Sequence, residues 1–286
     1  MPVYVDDMYK DLNEKPLCTI PRVMCWAVDN IELLKSQPNE SVDLIYSDIL
    51  YGTGRNFGDY QDLKPSRSEI EAHYLPRLKE MHRVLKSTGS IYLQMDYRIN
   101  HWIRCLMDEV FGYDNFKNTI VWCYGAGGGH GKKYFRRTHD DIHFYTKTNQ
   151  HTFNKQLNQY GSSLQDWWNI KGLQDKSGFF QNDDERQMYQ TQKPKALIER
   201  IIKASSNEGD VVADYYLGSG TTAVVCKELN RNFIGCDINP KAIEITKARL
   251  NAGIDEGIKI VTRRPVRDAS LSKPNSRAPW FSGTGF

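Results

Sequence analysis

The stretch Asp214-Tyr-Tyr-Leu-Gly-Ser-Gly-Thr-Thr222 most constrains what this chain can fold into. Residues 210–216 are apolar enough for a strand, and they run straight into Gly218-Ser219-Gly220. Thr221 to Leu229 then carries a helical pattern. Paired glycines let the backbone turn sharply and present amide N–H groups at a helix N-terminus. The next strand, Asn232 to Asp237, ends in an acid 17 residues after Gly220, a position that suits a ribose-binding carboxylate. A strand, a glycine turn, a helix and a second strand form a βαβ unit, which requires a parallel sheet.

The rest of the sequence repeats this alternation. Val42 to Ser47 is a short strand with Asp48 just beyond it. Residues 66–87 place Ile70, Tyr74, Leu78, Met81 and Leu85 at helical spacing, and Gly89 is the expected stop. Strands are expected at Ser90–Met95, Asn118–Cys123 and Ile142–Thr146, with a helix at Trp102–Phe111 closed by Gly112. Residues 150–190 are polar and aromatic, without a sustained period. So long an irregular insertion in an α/β domain is usually functional or disordered. Order resumes with a helix near Pro194, whose stripe is Leu197, Ile198, Ile201 and Ile202, and ends with a helix at Pro240–Leu250. The expected fold is a doubly wound, mostly parallel, seven-stranded Rossmann-like α/β sheet. The expected units are an N-terminal arm (1–21), a domain over 22–250 and a basic tail (251–286).

A chain of 286 residues with 40% hydrophobic residues can bury a substantial core. No apolar run is long enough to span a bilayer, and the first residues do not read as a secretory signal. Six scattered cysteines without a Cys-x-x-Cys pair read as reduced thiols of a cytoplasmic protein. The seven histidines form no ligand cluster, so no metal is expected. Net charge is only +3, but basic residues cluster in the tail and at Lys132, Lys133, Arg136 and Arg137 after a glycine-rich stretch. Such a loop can follow a phosphate backbone. His139, beside Asp140, is read as orienting it.

The glycine turn with Asp237 points to an adenosine-containing cofactor, the acid accepting from two ribose hydroxyls; a plain structural turn is the alternative. Position 223 is Ala where a dinucleotide site usually has its third glycine. No phosphate-binding lysine motif is present, which argues against a nucleoside triphosphatase. A nicotinamide-dependent enzyme would account for the βαβ unit but leave the second acid-ended strand unexplained.

That strand, Ser47-Asp48-Ile-Leu-Tyr51-Gly-Thr-Gly54, completes a resemblance. With the cofactor loop, Lys133-Tyr-Phe-Arg-Arg-Thr-His-Asp-Asp141, Thr191-Gln-Lys-Pro194 and Ile234-Gly-Cys-Asp-Ile-Asn239, it resembles the S-adenosylmethionine-dependent DNA amino-methyltransferases, which make N6-methyladenine or N4-methylcytosine. The order of blocks resembles the β arrangement, with target recognition within 125–190. The resemblance implies catalytic roles for Asp48, the carbonyl of Ile49, and Tyr51, which would stack on a flipped base. It implies cofactor contacts from Asp214, Tyr216, Leu217, Gly218, Ser219, Gly220, Thr221, Thr222, Asp237, Lys193 and Pro194. DNA contacts would come from Lys132, Lys133, Arg136, Arg137, His139 and Arg55. DNA is the implied partner, and a homodimer is common among such relatives. An acid at the head of the tetrad favours adenine.

Two departures stand out. The family tetrad is usually Asp-Pro-Pro-Tyr, but positions 49 and 50 are Ile and Leu; Tyr215 and Tyr216 replace the usual Pro and Phe. Proline fixes φ and has no N–H, so this strand end loses a constraint. Three readings follow: an active enzyme in which other packing restores the geometry, an inactive relative that binds DNA or a partner, or a pocket reshaped for another base or a modified cofactor. Retention of Asp48, Tyr51, Gly218, Gly220 and Asp237 favours activity.

Overall fold

The acid-ended strands lie in one eight-stranded sheet of order β1-β8-β7-β2-β3-β5-β4-β6. The computed structural model describes residues 22–56, 61–125, 133–173 and 192–251. The expected arm, the expected tail after Asn251, and Lys132 lie outside these residues. The strands are β1 (Val23–Ala27), β2 (Val42–Asp48), β3 (Leu85–Met95), β4 (Phe116–Cys123), β5 (His139–Thr146), β6 (Trp167–Asn169), β7 (Val211–Asp214) and β8 (Asn232–Asp237). Only β5 runs against its neighbours, so the sheet is mostly parallel, as expected.

Helices cover both faces. One face packs α1 (Asn30–Ser36), α2 (Arg67–Val84) and α3 (Asn100–Phe111) through Leu34, Ile70, Leu78, Met81, Ile103 and Met107. The other packs α4 (Lys195–Ser205), α5 (Thr221–Glu228) and α6 (Pro240–Asn251) through Leu197, Ile201, Val225 and Ile243. Strand alternation feeds both layers: on β2, Ile45 faces the first core, while Leu44 and Tyr46 face the second.

Four details depart from the sequence reading. The unit β1–α1 was not expected at all. The eighth strand, β6, arises inside the segment read as irregular; it pairs with β4, burying Trp168 and exposing Trp167. The helix before β3 stops at Val84 rather than at Gly89, because Leu85 pairs with Val42. Gly89 lies within β3, where a register shift brings the backbone so close that a Cβ would meet Leu85 at 2.7 Å. The strand expected over 210–216 ends at Asp214, where the chain turns and Tyr215 and Tyr216 leave the ladder.

Strands β2 and β7 are parallel neighbours, but the chain leaves them toward opposite edges of the sheet. Such a switch point opens a crevice beyond the carboxyl ends of the two strands, where ligands of open α/β sheets bind. Asp48 and Asp214 stand at those two ends.

Candidate active site

A cavity of about 600 Å³ occupies this crevice. Asp48, Ile49 and Tyr51 line one part, and Tyr216, Leu217, Gly218, Ser219, Thr221, Thr222 and Asp237 another. Residues far apart in sequence therefore face one space. Lys193 and Asp214 also line it; Pro194 is buried as the residue before α4, and Gly220 underlies the turn without lining the cavity.

The turn is held from inside. Gly218 and Gly220 have φ of 53° and 76°, a region most side chains avoid. Asp237 accepts the Gly218 N–H at 2.8 Å and the Asn239 N–H at 2.9 Å. Each of its oxygens keeps a lone pair for a further donor. Burial raises the Asp237 carboxyl above its ordinary range, against these two bonds. Asn239 also lines the cavity, and its buried Nδ2 has no partner among the described residues. A polar ligand with an acceptor there would satisfy it. Size, glycine turn, acid and orphaned amide fit an adenosine-type group.

Asp214, which lines the cavity, also ties the two strand ends together. It accepts from Thr222 Oγ1 at 2.7 Å, from Ser47 Oγ at 3.1 Å and from the Tyr216 N–H at 3.1 Å. Burial pushes its carboxyl from 3.8 up to about 7, although these bonds favour the charged form. Between those values the folded chain binds more protons than the unfolded one. The carboxyl's contribution to stability is thus full below pH 3.8 and lost as pH rises through about 7. Thermal unfolding against pH should show this falling component, and Asp214→Asn should remove it. A stability difference between the two proteins that stays flat across that window would contradict the assignment.

At the other end, Asp48 accepts from Tyr51 Oη at 2.7 Å and forms an ion pair with Lys193. Lys193 thus reaches the tetrad. Tyr51 Oη also lies 2.8 Å from Asp140, so its hydroxyl is anchored while its ring lines the cavity. Positions 49 and 50, where the family usually has prolines, are held by hydrogen bonds. The Ile49 N–H, which a proline would lack, donates to Gln94 O at 3.1 Å and extends the ladder. Tyr74 Oη donates to Leu50 O at 2.8 Å. Ile49 is 3% exposed and packs in the first core. The tyrosines of the turn are also accommodated: Tyr215 Oη donates to Gln37 Oε1 at 2.5 Å, and Tyr216 Oη meets His73 Nε2 at 3.0 Å. Burial, then Arg77, lowers His73 to about 4, so its ring is neutral at pH 7.

Lys133, Arg136 and Arg137 are exposed just before β5, His139 is exposed as its first residue, and Arg55 is exposed beyond Tyr51. The Arg137 guanidinium lies 3.9 Å from the Tyr97 ring centroid and 4.7 Å from that of Tyr134. Among the described residues no His, Cys, Asp or Glu cluster could hold a metal ion.

Sequence reasoning missed Asp29, Asp62, Gln94 and Asp140. Asp29 caps α1, pairs with Arg77 at 2.8 Å and lines the cavity. Asp62 receives the Gly52 N–H at 3.2 Å and the Thr53 N–H at 2.7 Å, fixing the residues after the tetrad. An acid shortly after an apolar run, the pattern that singled out Asp48 and Asp237, would have found Asp29.

The DNA methylase family matches residues 42–248. The chain belongs to that family. The Type II methyltransferase M.HpaI of Haemophilus parainfluenzae is 37% identical over 242 residues, 80% of this chain and 76% of that protein. The DNA adenine methyltransferase YhdJ of Escherichia coli is 32% identical over 242 residues, 78% of this chain and 81% of its own length. Among solved structures, the M1.HpyAVI–SAM complex superposes with a TM-score of 0.60 at 23% identity, covering 80% of this chain and 99% of that one. The cytosine-N4-specific PvuII DNA methyltransferase does so with a TM-score of 0.63 at 18% identity, covering 84% and 91%. At these identities the structures speak for the fold, including the Rossmann-like sheet expected from the sequence.

Proposed function

We propose that this methylase transfers a methyl group from S-adenosylmethionine to the exocyclic N6 of adenine in a short DNA sequence, after the base is flipped out. The observation that carries the reading is the single cavity shared by Asp48 and the Gly218 turn. Relatives named as Type II and adenine methyltransferases support the reaction and the base. S-adenosylmethionine would be held by Asp237, Asn239, Tyr216 and the glycine turn, and supplies an activated methyl group.

The residues of the chain do the rest. An exocyclic amine is a poor nucleophile while its lone pair is conjugated with the ring. Asp48 and the carbonyl of Ile49 would accept hydrogen bonds from its two hydrogens, which turns the nitrogen toward tetrahedral geometry and frees the pair. The tetrad backbone must be held still for this. Here the Ile49 and Tyr74 bonds supply what two prolines supply elsewhere, which favours an active enzyme over an inactive relative. Tyr51 would present its ring to the flipped base. Lys133, Arg136, Arg137 and Arg55 would contact phosphates, and exposed Phe135 and Tyr134 among them suit a nucleic-acid face. A homodimer in the cytoplasm belongs to the same reading.

Nucleoside mass spectrometry of DNA incubated with the protein and S-adenosylmethionine tests it. N6-methyladenine is expected. N4-methylcytosine would overturn the base assignment, and no methylated nucleoside despite cofactor binding would overturn the activity.

A further inference from the structure

A hydrogen-bonded chain crosses the floor of the site. Tyr46 Oη donates to Gln94 Oε1 at 2.8 Å, which fixes the amide so that Gln94 Nε2 donates to Asp140 Oδ2 at 3.0 Å. Tyr51 Oη lies 2.8 Å from that same Oδ2 and 2.7 Å from Asp48 Oδ1. One hydroxyl hydrogen thus serves two carboxylates. With both ionised, one of the two contacts is oxygen against oxygen with no hydrogen between. The group Asp48–Tyr51–Asp140 has a place for one further proton.

We propose that Asp140 is a positioning residue that receives, through Tyr51, the proton released when the target amine is methylated at Asp48. The inference rests on the methyl-transfer reading above. When a neutral amine gains a methyl group, its lone pair forms the N–C bond and the C–S pair stays on sulfur. The nitrogen must then lose one proton. Asp48 takes it, Tyr51 accepts it from Asp48, and the original Tyr51 hydrogen passes to Asp140 Oδ2. Asp48 is left ionised for the next turnover, and Asp140 holds the proton until it exchanges with solvent.

The surroundings suit the role. Burial raises the Asp140 carboxyl to about 6; the charge of Lys193 and the Tyr51 and Gln94 bonds oppose the rise, and Asp48 adds to it. The other titratable groups facing it are Tyr46 on β2 and Tyr124 after β4. Burial first, then the adjacent carboxylates, pushes the Tyr51 hydroxyl far up, so Tyr51 passes a proton without becoming a resident anion. Above about 6 Asp140 is ionised and can accept; below it the place is filled and transfer should slow.

Single-turnover methyl transfer across pH, for the parent, Asp140→Asn, Tyr51→Phe and the double variant, tests this. Asp140→Asn should lose about 100-fold, along with the acid limb near pH 6, while S-adenosylmethionine binding is unchanged. The double variant should be no slower than the slower single variant, because both break one path. Difference infrared spectra of the protein alone should show a carboxyl titrating near pH 6, absent in Asp140→Asn. Additive losses, an acid limb that survives in Asp140→Asn, or no such carboxyl would overturn the proposal. Should Asp140→Asn not fold, Tyr51→Phe, which keeps both carboxylates, must still shift that titration. A parent protein that transfers no methyl would instead remove the reaction itself; the infrared titration, made without DNA or cofactor, tells the two failures apart.

Discussion

Replacing Asp48 by alanine is expected to cut single-turnover methyl transfer by about 1,000-fold, with S-adenosylmethionine affinity within a few-fold of the parent. The split follows from position. Asp48 ends β2 on one side of the crevice, whereas the glycine turn and Asp237 lie on the other. Removing the carboxylate deletes the acceptor that draws the amine toward tetrahedral geometry. It also removes one partner of the ion pair with Lys193, whose side chain is 13% exposed. Losing one partner of a largely buried pair is destabilising in its own right, so folding must be measured alongside rate. Asp48→Asn separates the effects: it keeps the shape and one acceptor oxygen but not the charge. Rapid-quench transfer to a DNA duplex, with calorimetry for the cofactor, gives both quantities. Near-parental transfer by Asp48→Ala would end the catalytic assignment.

Much of the fold was legible because its signals are local. The strand–turn–helix at 211–228 combines a glycine turn with a helical stripe, and both follow from backbone sterics. Gly112 ends α3 where the sequence places the stop; its φ of 86° is one that a side chain would resist. What escaped depended on partners distant in sequence. β6 has three residues and exists because Trp168 packs into the second core beside β4. Leu85 continues the helical pattern of α2 but is claimed by the ladder with Val42, a tertiary contact outweighing a local preference.

The site divides in the same way. Asp48, Gly218 and Asp237 announce themselves at strand ends. The ties between them do not. Asp140 reads in sequence as one of two acids after a basic loop, and only the pairing of β5 with β3 and β4 brings it under Tyr51. Lys193 reads as part of a block over the cofactor, yet its ammonium reaches Asp48. Ile49 and Leu50 read as lost constraints, because the bonds from Ile49 to Gln94 and from Tyr74 to Leu50 cannot be inferred from spacing.

Gly220→Ala is expected to destabilise the protein by about 3 kcal/mol and to weaken S-adenosylmethionine binding by about 100-fold. Two costs combine. At φ 76° a Cβ carries a penalty of about 1–2 kcal/mol. That Cβ would also lie 2.3 Å from Thr246 Oγ1, 2.5 Å from its Cγ2 and 2.7 Å from its Cβ. Overpacking of this kind costs about 1–3 kcal/mol. α6 cannot easily retreat, since Arg249 donates to Ser219 O at 2.7 Å and to Thr221 Oγ1 at 3.0 Å. The turn must move instead, and Gly218 and Ser219 with it. Gly209 provides the control: its φ is 83° and nothing lies within 4 Å of an added Cβ, so Gly209→Ala measures the backbone penalty alone. Thr246→Ala should recover part of the Gly220→Ala loss and none of the Gly209→Ala loss. Denaturant unfolding of the three single variants and of the two double variants that carry Thr246→Ala decides the matter. If Gly220→Ala proves no worse than Gly209→Ala, close packing of α6 against the turn is not what demands glycine there.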